Sequence, residues 1–239
     1  MIEALLLNLR SRDVLTAEES TRLREIIVNG RSFMPGEDIV VEGSRPGYST
    51  LMIEGLSARY KDMTDGSRQI TALQVPGDFV DLHAFLLKKL DHGIVALSPC
   101  RVAFADHSDL KKISETMPHL ARLLWLNTII DAAINREWIS SMGRRSKRAH
   151  IAHLICELYV RLRTVEQVDN WSFRFPLTQA ELADAMGISL VHVNKTLQML
   201  KREDVFTWEN RILRIINWDR LQEIAEFDDT YLSLRVEPR

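Results

Sequence analysis

The chain has 239 residues, room for one large domain or two small ones at roughly 100–200 residues each. Its 46% hydrophobic and 27% charged residues are ordinary globular values, which argue against a disordered chain, a collagen-like repeat or a coiled-coil fibre. Net charge is only −2, yet Arg144 to Arg202 holds ten Lys/Arg against five Asp/Glu, a local +5 that points to a polyanionic partner.

The first residues, Met1-Ile2-Glu3-Ala4-Leu5-Leu6-Leu7, lack the basic flank and small-residue cleavage site of a secretory signal. No apolar run approaches the roughly 18 residues of a membrane span, so a soluble, cytoplasmic protein is expected. Residues 33–106 read as short strands between closely spaced turn signals. Ile39-Val40-Val41 lies between Pro35-Gly36 and Gly43, Leu51-Met52-Ile53 ends at Gly55, and Leu56 to Tyr60 alternates. Asp65-Gly66 is a hairpin signal; Ile70 to Leu73 and Val102-Ala103-Phe104 supply later strands. Such spacing predicts a barrel or rolled β sandwich, interrupted by a short helix over Val80 to Leu90.

Helix then takes over. Ser108-Asp109 opens a short one, and Pro118 suits the first turn of a helix that meets no Gly or Pro before Gly143. Leu120, Leu123, Leu124, Asn127, Ile130, Ile134 and Trp138 form an apolar stripe along it. Such a stripe fits a helix lying on its own domain, but its one polar member favours a two-helix dimer seam, in which a single buried Asn fixes register. After Arg144-Arg145-Ser146-Lys147-Arg148, another amphipathic helix carries Ile151, Leu154, Ile155, Leu158 and Leu162. His150, His153 and Glu157 share its other face and are expected to be solvated, not metal-binding. Cys100 and Cys156, the only cysteines, cannot build a four-thiolate zinc or iron–sulfur site.

The strongest pattern runs from Leu177 to Leu200. Thr178 with Glu181 is a capping box, and Gly187 ends the helix it opens. Ser189 caps a second helix whose Val193, Leu197 and Leu200 face inward. Two short helices across a glycine turn make a helix-turn-helix. Leu190, Val191, His192, Asn194, Lys195 and Gln198 then face outward, toward a DNA major groove. Val205 to Trp208 and Ile212 to Ile216 read as a hairpin wing with Arg211 near its tip, a phosphate contact.

Taken together these pieces resemble the Crp/Fnr family of transcription regulators. The matching segments are Pro35 to Gly43, Ile53-Glu54-Gly55, Val75-Pro76-Gly77-Asp78-Phe79 and Thr178 to Leu200. The resemblance implies an α+β chain in three parts. Residues 1–108 form a cyclic-nucleotide-binding-like β roll that acts as sensor, 109–143 a dimerisation helix, and 144–239 a winged helix-turn-helix. It implies a homodimer on an inverted-repeat promoter site, with RNA polymerase as a further partner and no enzymatic activity. Base contacts would come from Leu190, Val191 and Lys195, with Thr178, Ser189 and the Arg144–Arg148 cluster positioning the protein on phosphates.

The departures concern the signal. Family members that bind cyclic AMP use a Gly-Glu segment and an Arg-Ser pair, whereas this chain has Asp81-Leu82-His83 and His92-Gly93 there. Those five residues mark the effector pocket, and cyclic AMP is not expected in it, because no arginine is present to pair bidentately with the phosphate. His83, His92 and Cys100 keep haem as an option. A second reading is a nucleotide- or haem-sensing module that regulates a protein partner without binding DNA.

Overall fold

A computed structural model describes residues 1–239, the side chain of Asn29 aside. Two helices open the chain, α1 (Glu3–Arg10) and α2 (Ala17–Ile26). Thr16 and Glu19 cap α2 reciprocally. Strands β1 (Ile27–Phe33), β2 (Asp38–Val40), β3 (Tyr48–Glu54), β4 (Ser57–Asp62) and β5 (Arg68–Gln74) follow. The short helix α3 (Ala84–Leu87), then β6 (Gly93–Ala96) and β7 (Cys100–Asp106), complete the roll. Its two antiparallel sheets have the orders β1-β7-β3 and β2-β6-β4-β5. Asp65 and Gly66 sit in the β4–β5 hairpin turn, as their sequence predicts. The helix predicted over Val80 to Leu90 contracts to one turn, because Lys88 adopts a left-handed φ of 64° and stops it.

The helical half begins with α4 (His107–Thr116) and the 27-residue α5 (Pro118–Arg144), which starts on its proline. Next come α6 (Lys147–Thr164), β8 (Ser172–Arg174), α7 (Gln179–Met186), α8 (Leu190–Arg202), β9 (Phe206–Glu209), β10 (Ile212–Ile215) and α9 (Trp218–Ala225). A 3-10 turn, Asp229–Leu232, ends the ordered elements. Strands β8, β10 and β9 make a small antiparallel sheet. No helix among the described residues is long and apolar enough to cross a membrane.

The two halves are not independent. One apolar cluster runs from Tyr60, Ile70 and Leu73 of the roll through Ile130, Ile134 and Trp138 of α5 into α6, α7 and α8. A second joins α1 and α2 to the roll, α4 and the start of α5, where Leu120, Leu123 and Leu124 lie. The stripe assigned to a dimer seam is therefore buried against its own chain, and Asn127 is half-buried on the wall of a small polar cavity between the halves. A 3.6-residue apolar period marks a covered face without saying what covers it.

His150, His153 and Glu157 are buried too, contrary to their expected solvation. Both sides of α6 are enclosed, one by the winged-helix core and the other by α5, α9 and the chain's C-terminal turn. Burial holds the imidazoles neutral, lowering His150 to about 4 and His153 to about 3. No group of His, Cys, Asp and Glu among the described residues is arranged to hold a metal ion.

Candidate nucleic-acid interface

Helix α7 is fixed by its N-cap. Thr178 Oγ1 accepts from the Glu181 amide at 3.1 Å, and Glu181 Oε2 accepts from the Thr178 amide at 2.6 Å. Gly187 takes a φ of +63°, which lets the chain reverse into α8 without the penalty a Cβ would carry. Ser189 caps α8, and its hydroxyl lies 2.8 Å from His192 Nδ1. Val193, Leu197 and Leu200 are buried behind the helix, so its other face is set by packing.

That face is open. Thr178, Ser189, Leu190, Val191, His192, Lys195 and Gln198 are all exposed, Val191 to 75%. Asn194 is half-buried and spends one amide hydrogen on the Leu190 carbonyl at 3.1 Å. Opposite α8, Asn210 and Arg211 form the tip of the β9–β10 hairpin, with positive φ angles of 50° and 61°. Such consecutive left-handed residues suit a tight two-residue hairpin. Between helix and wing runs a groove of about 480 Å³, lined by Gln198, Lys201 and Arg211 among others. Neither Lys195 nor Arg211 enters an ion pair among the described residues, so both charges remain available to an anion. The Arg144–Arg148 cluster is less free than expected: Arg145 pairs with Glu137 at 2.6 Å and Arg148 pairs with Glu203.

A cationic, polar helix backed by a core and flanked by a wing is built to enter a DNA groove while its N-terminal amides approach phosphate. Residues 149–224 match the family model of the Crp-like helix-turn-helix domain, and residues 30–117 that of the cyclic nucleotide-binding domain. The chain belongs to the Crp/Fnr family of transcription regulators. It is 26% identical to the transcriptional activator protein FnrL of Cereibacter sphaeroides over 83% of this chain and 81% of that protein. To the nitrogen fixation regulation protein FixK of Bradyrhizobium diazoefficiens it is 24% identical over 91% of each. The solved structure of FixK2 from Bradyrhizobium japonicum superposes with a TM-score of 0.74 at 22% identity, covering 82% of this chain and 96% of that one. This Crp/Fnr regulator therefore carries a DNA-binding domain and is not an enzyme.

The roll of this regulator holds the five residues assigned to an effector pocket. Asp81 is wholly buried, with Oδ1 accepting from the Thr50 amide at 2.5 Å and Oδ2 from the Thr50 hydroxyl at 3.1 Å. Leu82 and His83 are half-buried. His83 and His92 approach with ring centroids 5.1 Å apart, and His92 Nδ1 meets Asp91 Oδ1 at 2.8 Å. Gly93 lies under the Tyr60 ring, where a Cβ would come within 2.4 Å of Cζ. Cys100 is buried and its thiol donates to the Leu56 carbonyl at 3.2 Å; burial raises its pKa and keeps it a thiol.

Arg59 is a site residue that no sequence motif marks. It is 8% exposed and reaches from β4 to Asp131 of α5 at 2.9 Å and to the Val80 carbonyl at 3.2 Å. The one available signal is an arginine inside an otherwise buried strand. It is the cation that burial places beside the two imidazoles, and burial first, then its charge, lowers both: His83 goes to about 4. Arg59 is thus committed to Asp131 and the Val80 carbonyl, and both Asp81 oxygens to Thr50.

Burial pushes the Asp81 carboxyl up to about 7, against the Thr50 hydrogen bonds and the Arg59 charge, which favour the anion. A folded pKa above the ordinary 3.8 means the fold prefers the protonated form. That contribution is present below about pH 4 and is lost as pH rises through 7. Asp81→Asn keeps both Thr50 partners and does not titrate. Its stability advantage over wild type should grow between pH 5 and 8, toward a limit on the order of 2–4 kcal/mol, in denaturant melts at each pH. A difference that does not change with pH would contradict the raised pKa.

Proposed function

We propose that this regulator binds an inverted-repeat DNA site as a two-fold homodimer inside the cell, close enough to a promoter to act on RNA polymerase. Its effector, if it has one, is not a cyclic nucleotide. The observation that carries the reading is the open face of α8, where Lys195 is exposed, with Lys201 and Arg211 lining the groove between that helix and the wing. Lys195 suits guanine O6 and N7, whereas Leu190 and Val191 offer only thymine-methyl contact. Two α8 helices on one face of the duplex would sit about 34–36 Å apart.

Selection from random DNA tests this. Lys195→Ala should relax the preference at one base pair per half-site, by on the order of 1–3 kcal/mol. Arg211→Ala should instead weaken all sequences alike and reduce the salt slope by about 1. If Lys195→Ala selects the wild-type motif at full stringency, it does not read a base. Calorimetry with cyclic AMP should show no micromolar binding; heat of that size would overturn the reading of the pocket.

The exposed residues of α5 support the dimer. Trp125, Ile129, Ala132, Arg136 and Ile139 are exposed at spacings of four, three, four and three, the 3.5-residue repeat of a two-helix seam. Trp125 is 68% exposed and Ile139 65%, on the side turned away from the stripe that the chain covers itself.

A further inference from the structure

A cavity of about 420 Å³ lies between α3, α4 and the first half of α5. It shares Leu82 and His83 with the five residues assigned to the effector pocket and lies to one side of the other three. Asp81, His92 and Gly93 do not line it, and no strand of the roll contributes to it. Its walls are Leu82, Phe85, Leu110, Ile113, Leu124 and Trp125, with small residues at Ala121 and Ser114. None of the side chains around it carries a charge, since burial and the nearby Arg59 keep His83 neutral. Its volume falls within the roughly 300–1,000 Å³ of ordinary small-molecule sites.

One further observation favours an occupant. At the mouth, Leu86 and Leu87 are 76% and 60% exposed, held on a single helical turn that Lys88 ends. Contiguous exposed apolar residues around a concave site mark ligand binding more often than idle surface.

We infer that this cavity binds an uncharged, largely apolar small molecule. Anions, cyclic nucleotides among them, are excluded by walls without a cation. Leu124, Trp125 and Thr128 belong to α5, so the ligand would press on the same helix that carries the exposed seam. The inference does not depend on DNA binding.

The test uses Nile red, an uncharged apolar dye with a carbonyl acceptor, titrated into the full-length chain. The expected result is saturable binding of one dye per chain with blue-shifted emission, unaffected by excess cyclic AMP. Ala121→Phe and Thr128→Phe fill the cavity from two positions, and each should weaken the dye at least tenfold with an unchanged circular-dichroism melt. An absence of saturable binding, displacement by cyclic AMP, or wild-type affinity in either folded variant would overturn the assignment. The Ile129→Glu/Ile139→Glu chain adds a control, because neither residue lines the cavity. Equal affinity in that variant supports a small-molecule site; binding by the variant alone would mean that a second copy fills the cavity in the wild type.

Discussion

Arg161→Ala should destabilise the folded chain by about 3–5 kcal/mol, the cost of stranding a buried charge. Arg161 leaves α6 and joins three parts of the molecule. One guanidinium nitrogen donates to Glu157 Oε1 at 2.9 Å; the other donates to the Leu73 carbonyl at 2.9 Å and to Asp78 Oδ2 at 2.6 Å. Glu157 is wholly buried and accepts from Trp138 Nε1 of α5 and from the Tyr231 hydroxyl, each at 3.1 Å. Burial opposes the Arg161 charge, but Asp78 and Glu157 outweigh it and hold the guanidinium protonated. Burial also raises the Glu157 pKa, with Arg161 the chief opposing influence. Removing the arginine leaves Glu157 to take up a proton or unfold its surroundings. In a chain of this size the loss corresponds to roughly 6–20 °C in Tm. Adding Glu157→Gln to Arg161→Ala should recover part of it, because the stranded charge is gone while Trp138 and Tyr231 keep an acceptor. A single-variant loss under 1 kcal/mol would show that the cluster is hydrated and contributes little.

What is legible in the residues is local. The capping box at Thr178, the left-handed Gly187 and the Ser189 cap each act within four residues, so a short stretch of chain suffices to place the helix-turn-helix. The Asp65-Gly66 hairpin and the Pro118 start of α5 are of the same kind. The features that escape a sequence reading depend on distant partners. α1 and α2 carry leucines that only find a face once the β1-β7-β3 sheet exists. Arg59 acquires its meaning from Asp131, 72 residues on. His150, His153 and Glu157 look like a polar helix face until α5, α9 and the C-terminal turn close over them. The stripe from Leu120 to Trp138 is correctly read as buried but joined to the wrong partner, for the chain covers it itself.

That correction changes where a dimer must be broken. Glutamate at Ile130 or Ile134 would enter the core shared by the roll and the winged helix, so unfolding would mask any effect on assembly. Ile129→Glu/Ile139→Glu is the informative variant, since both residues are exposed, Ile129 to 45% and Ile139 to 65%. In a seam of paired α5 helices these positions face their counterparts, and four carboxylates would then lie across it without cations enough to balance them; like charges so placed repel. The variant should sediment as a monomer at micromolar concentration with a melting profile close to that of the wild type extrapolated to low concentration. Its DNA affinity should fall by roughly 10²–10⁴-fold, because each half-site is then bound without the effective concentration that linkage supplies. Preference within a half-site should survive, as α8 and Lys195 are untouched. If the variant remains dimeric, or the wild type sediments as a monomer at that concentration, α5 does not carry the seam through this face.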